Sequence, residues 1–176
     1  MQQLVPFDPK QTSSFKIEAS AELKGGVLHL TYKVHDLKRE VQGLVWESGG
    51  APGERQDALW QSTCFESFVS MVARNYLELN ISPIGNWNAY TFSDHRTPQP
   101  PTPEAGVKLV GFKRAVDGDT LTSIAQFSGN FQAEHLLSLC CVIKTKSQTL
   151  FFANVHAYKK PDFHQRDARV IAVKTV

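Results

Sequence analysis

Tyr76-Leu77-Glu78-Leu79-Asn80-Ile81-Ser82-Pro83-Ile84-Gly85-Asn86-Trp87-Asn88-Ala89-Tyr90 is the stretch from which the fold is read. Leu77, Leu79 and Ile81 alternate with Tyr76, Glu78, Asn80 and Ser82, and an extended chain turns that period of two into one apolar and one polar face. Pro83 to Gly85 supplies a turn, and Trp87, Asn88 and Tyr90 return on a following strand, with Trp87 and Tyr90 on opposite faces. Just upstream, Cys64, Glu66, Phe68 and Ser70 share one strand face, and Phe65, Ser67, Val69 and Met71 share the other. Both faces are partly apolar, which predicts a central strand covered on both sides.

The same period recurs outward in both directions. Phe15, Ile17, Ala19, Ala21 and Leu23 alternate with polar residues, Lys24-Gly25-Gly26 turns the chain, and Leu28, Leu30, Tyr32 and Val34 return. A short strand is expected at 41–46 and a loop at 48–55. Segments 107–116 and 121–127 flank Asp117-Gly118, a strong hairpin signal. Residues 130–137 have spacing for a short helical turn, 139–143 and 150–158 read as a last hairpin, and 168–176 closes the chain as a strand. Pro98, Pro100, Pro101 and Pro103 lack ladder donors, so 95–103 reads as a surface linker or edge segment. Eight to ten short strands with turn signals between them predict an all-β protein, an antiparallel β-sandwich, in a single domain spanning 1–176.

Composition narrows the function classes. The chain has 176 residues, of which 41% are hydrophobic and 20% charged, with a formal net charge of +2. Such a balance gives no electrostatic case for a nucleic-acid or membrane partner. Cys64, Cys140 and Cys141 are an odd count with one adjacent pair, unlike a disulfide framework, so a cytoplasmic location is expected. No paired Cys/His ligand spacing points to a metal. Neither a nucleophile elbow, a phosphate loop nor a dinucleotide fingerprint is present, and the reading leans away from an enzyme. Glycoside-type hydrolysis through Glu66 with Glu78, or chemistry through Asp162 with His164, stays as an alternative.

Two groups of residues can carry a ligand. Glu66 sits between Cys64 and Phe68 on one strand face, where a carboxylate needs a partner, either a structural one or ligand hydroxyls. Asn80 and Ser82 offer donors and acceptors on the polar row, and an exposed Trp or Tyr can stack on the C–H face of a sugar. The second group, His156 to Asp167, gathers His, Asp, Arg and Lys around Pro161, a composition that suits either a functional loop or a set of structural ion pairs.

Taken together, Leu59-Trp60-Gln61-Ser62-Thr63-Cys64-Phe65-Glu66-Ser67-Phe68, the run from Glu78 to Tyr90, and Lys160-Pro161-Asp162-Phe163-His164 resemble the bacterial DOMON-like proteins, relatives of the family-9 carbohydrate-binding modules. The resemblance implies a sandwich of jelly-roll or immunoglobulin-like kind with a ligand site on one sheet face. It makes Trp60, Glu66, Asn80, Trp87, Asn88 and Tyr90 candidates for that site, with Asp162 and His164 joining them from the C-terminal cluster. The implied function is non-catalytic binding of a small ligand, a carbohydrate first of all. The superfamily's other ligand is haem, which would need Met71 with His156 or His164 as axial ligands. A third class is an interaction module whose sheet face docks another protein or a second copy of the chain as a homodimer.

Overall fold

The structure is a computed structural model, and it describes residues 1–10, 15–73 and 75–176. In chain order the strands are β1 (Gln2–Gln3), β2 (Val5–Pro6), β3 (Phe15–Lys24), β4 (Val27–Asp36), β5 (Cys64–Ser70), β6 (Tyr76–Ile81) and β7 (Trp87–Phe92). They continue as β8 (Thr102–Pro103), β9 (Lys108–Asp117), β10 (Thr120–Ser128), β11 (Leu136–Lys144), β12 (Thr149–Ala153), β13 (Ile171–Ala172) and β14 (Lys174–Thr175). One sheet has the order β1-β3-β4-β10-β9, with β14 joining β3 in parallel. The other runs β2-β12-β11-β5-β6-β7-β8, with β13 on β11. Apart from β14 every pairing is antiparallel, and the fold is an all-β sandwich.

Alternation decides which side faces inward. In β3 and β4, Ile17, Ala19, Leu28, Leu30 and Val34 are buried while their neighbours stay at least partly exposed. Burying a large apolar side chain is worth about 1.5–3 kcal/mol, whereas strand propensity spans only about 1 kcal/mol. The apolar row therefore dictates the register. Gly25 and Gly26 turn this hairpin at φ 55° and 80°, a left-handed conformation that costs glycine nothing. Between the sheets, Phe65, Val69, Leu77, Leu79, Ile81 and Trp87 meet Ile17, Leu30, Tyr32, Phe112 and Phe127 in one core.

The second sheet is covered on its far face as well. Phe68, Tyr76, Tyr90, Phe92, Cys140, Val142 and Phe163 form a separate apolar cluster there. β5, expected to be central, lies between β6 and β11, and six of its seven residues are buried. Loops seal this face, and they decide where the site lies.

Several local expectations are corrected. Residues 41–46 form no strand. The buried Asp36 carboxylate takes the Glu40 and Val41 amides at 3.0 and 2.8 Å, so these donors turn back on the chain instead of entering a ladder. Residues 130–137 form no helical turn, because Leu136 and Leu137 are claimed by β11, paired to β13 and, at Leu137, to Val69 of β5. Among the described residues the helical turns are 3₁₀ turns at Leu59–Gln61 and Arg166–Ala168. The strand expected at 150–158 stops at Ala153, where the Asn154 side chain accepts the Leu139 amide at 2.9 Å and donates to the Ala168 carbonyl at 3.2 Å. The C-terminal strand is two short ones in different sheets, with Val173 buried between them. Among the described residues no helix is long and apolar enough to cross a membrane.

Candidate functional site

The far face of the second sheet opens into a cleft of about 370 Å³. Its floor is laid by strand parity. Glu66 on β5 and Glu78 on β6 point outward beside Phe92 of β7, Val142 of β11 and Phe151 of β12. Its walls come from three loops: Trp60 before β5; Arg96, Gln99, Pro100 and Pro101 between β7 and β8; and Pro161, Phe163 and His164 near the C-terminus. The proline-rich stretch is thus a wall of the cleft as well as an edge, since β8 pairs with β7. Its prolines lack amide donors, so they present apolar surface to the cleft with few backbone groups to satisfy.

The two floor carboxyls are almost sealed, Glu66 at 3% exposure and Glu78 at 5%. Glu66 stands directly across from Asn80 in the β5–β6 register, which puts Glu78 one diagonal step away. Glu66 Oε1 and Asn80 Oδ1 are buried with no hydrogen-bond partner. Glu78 Oε1 accepts the Asn80 side-chain amide at 2.9 Å, and its Oε2 lies 3.8 Å from His164 Nε2. Burial, then repulsion from Glu78, raises the Glu66 carboxyl well above the usual carboxylate range, with the Arg96 charge and then the Cys64 thiol as a weak donor pulling the other way. Glu78 is pushed up to about 7, by burial first, against the hydrogen bond from Asn80 and the charge of Arg96. The pair titrates jointly.

A polar clamp holds His164 over this floor. Asp162 accepts from Arg96 Nη2 at 3.0 Å, from Gln165 Nε2 at 2.6 Å and from the His164 amide at 3.2 Å, and it pairs with His95 Nε2 at 2.8 Å. Burial alone would raise Asp162, but the bonds from His95 and Gln165 and the Arg96 guanidinium hold it at about 2. The Tyr76 hydroxyl accepts the Arg96 amide at 3.1 Å and sits 2.8 Å from His164 Nδ1. With Nδ1 as the acceptor of the Tyr76 proton, the neutral ring carries its own proton on Nε2, the nitrogen nearer Glu78; the other tautomer reverses both roles. Burial, and next the Arg96 charge, lowers His164 to about 3. Arg169 closes the assembly from below, 4.5 Å over the Tyr76 ring and donating to the His164 carbonyl at 3.0 Å.

Of the candidates read from sequence, Trp60, Glu66 and His164 line the cleft. Asn80 lies under the floor, bonded to Glu78. Asn88 and Tyr90 brace the segment that carries Trp60. The Asn88 amide donates to Asp57 Oδ1 at 2.8 Å, the Tyr90 hydroxyl does so at 2.9 Å, and Trp60 meets the Tyr90 ring edge-on at 5.7 Å. Asp162 is the centre of the clamp. Trp87 faces the other way, into the inter-sheet core, edge-on to Phe127 and under the Arg55 guanidinium at 4.5 Å. Met71 packs against that same core and is not among the residues lining the cleft, while His156 Nε2 is 3.0 Å from the Val5 carbonyl oxygen. The two axial positions that haem would need thus do not meet in the cleft. Among the described residues no group of three or more His, Cys, Asp or Glu is arranged to hold a metal ion.

Arg96, Phe163 and the proline wall were not among the sequence candidates, and Glu78 was named only for the hydrolytic alternative. Glu78 had a usable signal, because it shares the polar face of β6 with Asn80. Arg96 and the prolines had none, since only the closure of the β7–β8 loop brings them over the floor.

No family model matches the chain, and no curated protein matches it. Among solved structures, the chain is similar to a crystal structure of a proposed carbohydrate-binding protein from Bacteroides uniformis, with a TM-score of 0.58 over 99% of this chain and 85% of that one. Sequence identity is 12%, so the likeness is one of fold.

Proposed function

We propose that the cleft binds a carbohydrate, of the size of one or two sugar rings, without transforming it. The observation that carries the reading is a floor of buried polar acceptors, Glu66 and Glu78, beneath aromatic walls, Trp60, Phe92 and Phe163. Sugars present the matching pair of surfaces, hydroxyl donors on the rim of the ring and C–H groups on its faces. Trp60 is 37% exposed and offers such a face. The volume lies within the range of small-molecule sites. The fold likeness to a protein with a proposed sugar-binding role points the same way. Cys64, Cys140 and Cys141 supply no ready nucleophile, since all three are buried and burial raises their thiols.

The DOMON-like resemblance and a cytoplasmic location belong to this proposal. The first draws support from Trp60 and Glu66 of one resembling segment, Glu78 of the second and His164 of the third meeting in one cleft. Three free, buried thiols support the second. The test is titration calorimetry of a panel of mono- and disaccharides against wild type, Trp60→Ala and Glu78→Gln, with chromogenic glycosides as a turnover control. Binding by wild type that weakens about tenfold in either variant supports the reading. Silence across the panel, or variants that bind like wild type, removes it.

A further inference from the structure

We propose that the cleft selects a ligand bearing a protonated amino group, an amino sugar over its neutral counterpart. The inference rests on the carbohydrate reading for the ring and adds the substituent that the floor recognises. The floor is short of donors. Glu66 Oε1 is buried at the cleft without a partner, Asn80 Oδ1 beside it also has none, and Glu78 Oε2 has His164 Nε2 no nearer than 3.8 Å. A hydroxyl brings one proton to such a cluster, whereas an ammonium group brings three N–H donors and a charge that favours the ionised form of the neighbouring carboxyls.

The basic side chains along the cleft do not fill this role. Arg96 acts on the floor through its charge while its Nη2 bonds Asp162, and His164 is a neutral ring paired with the Tyr76 hydroxyl. The Trp60, Phe92 and Phe163 rings also line the cleft, and aromatic faces attract a cation at short range.

Proton balance supplies a signature. Burial and mutual repulsion keep the floor carboxyls raised, so near neutral pH the empty cleft retains carboxyl protons. The titratable and charged groups around them are Tyr32 from the first sheet, Cys64, Tyr76, Tyr90, Cys140 and Cys141 from the second, Arg96 from the β7–β8 loop and His164 from the C-terminal segment. An arriving ammonium forms N–H···O bonds to the carboxyl, whose O–H proton passes to the buffer, leaving an ammonium–carboxylate pair. A neutral sugar has no such reason to release a proton.

The experiment is calorimetric titration of wild type at pH 7 with glucosamine, N-acetylglucosamine, glucose and putrescine, in two buffers of different ionisation heat. Glucosamine binding at least about tenfold tighter than glucose and N-acetylglucosamine, with proton release, is the expected result. The preference should shrink in Glu66→Gln and Glu78→Gln, whose folding is checked by thermal melting at the same pH. Glucose or N-acetylglucosamine binding as tightly as glucosamine overturns the inference and leaves the carbohydrate reading standing. A preference that survives both substitutions overturns it too. Putrescine binding without any sugar supports the amine inference and removes the carbohydrate reading. No binding by any of the four overturns both.

Discussion

Glu78 and His164 face each other across 3.8 Å with opposite effects on stability. Glu78 is raised from 4.5 to about 7, so the folded chain holds a proton that the unfolded chain releases, and stability falls as pH rises through the window from 4.5 to 7. His164 is lowered from 6.5 to about 3; there the unfolded chain binds the proton, and stability rises with pH from 3 to 6.5. Glu78→Gln removes the Glu78 share of the falling limb and leaves the rising limb of His164 and the share of Glu66, whose carboxyl is raised as well. We expect it to raise stability at pH 7.5 by about 1–3 kcal/mol and to change little at pH 4. Denaturant unfolding at both pH values measures this, and an equal shift at the two would contradict the buried, neutralised carboxyl. Keeping such a group in the fold is consistent with selection for what the cleft holds.

Among the elements, the loop between β7 and β8 and the segment around Phe163 have little regular structure of their own, yet they make two of the three cleft walls. Their rigidity is delegated to Asp162, which ties His95, Arg96 and Gln165 together. In Asp162→Ala, amide exchange over residues 94–97 should quicken by about tenfold or more while the β6 amides stay protected. Mass-spectrometric hydrogen exchange reads both segments in one measurement; unchanged protection at 94–97 would show that the prolines alone hold the wall. Gly85 illustrates a tighter constraint in the β6–β7 turn. At φ 98° an added Cβ there would sit 2.7 Å from the Ala51 carbonyl oxygen, so the turn excludes side chains on both steric and conformational grounds.

Across the whole molecule the two sheets are joined directly beneath the site. Tyr32 of the first sheet stacks on Phe65 of the second at 4.9 Å, and its hydroxyl donates to the Glu66 carbonyl at 2.5 Å. The tie fixes the backbone from which the Glu66 carboxyl projects. Burial raises the Tyr32 hydroxyl far above its usual range, so it remains a donor at any ordinary pH. Tyr32→Phe keeps the ring and removes the donor, leaving a buried carbonyl short of one partner. A loss of about 1–2 kcal/mol is expected, with the far-ultraviolet circular dichroism unchanged. A substitution without effect on the unfolding midpoint would mean that the sheets are held by apolar packing alone.

Periodicity by itself determined that this chain is an all-β sandwich, and that Glu78 and Asn80 share one face of their strand while Leu77, Leu79 and Ile81 share the other. Those properties follow from the two-residue repeat of an extended backbone and the free energy of apolar burial, both local to a strand. That Glu66 points outward and Phe65 and Trp87 inward was decided by tertiary packing. Strand ends at 41–46, 130–137 and 154–158 were not legible, because the Asp36 and Asn154 side chains and the partners of Leu136 are supplied by tertiary contacts. The cleft was decided only at that level. Whether a polar sheet face meets water or a sealed floor depends on loops distant in sequence closing over it. Burial, which no local pattern encodes, is what shifts Glu66, Glu78 and His164 away from their ordinary protonation.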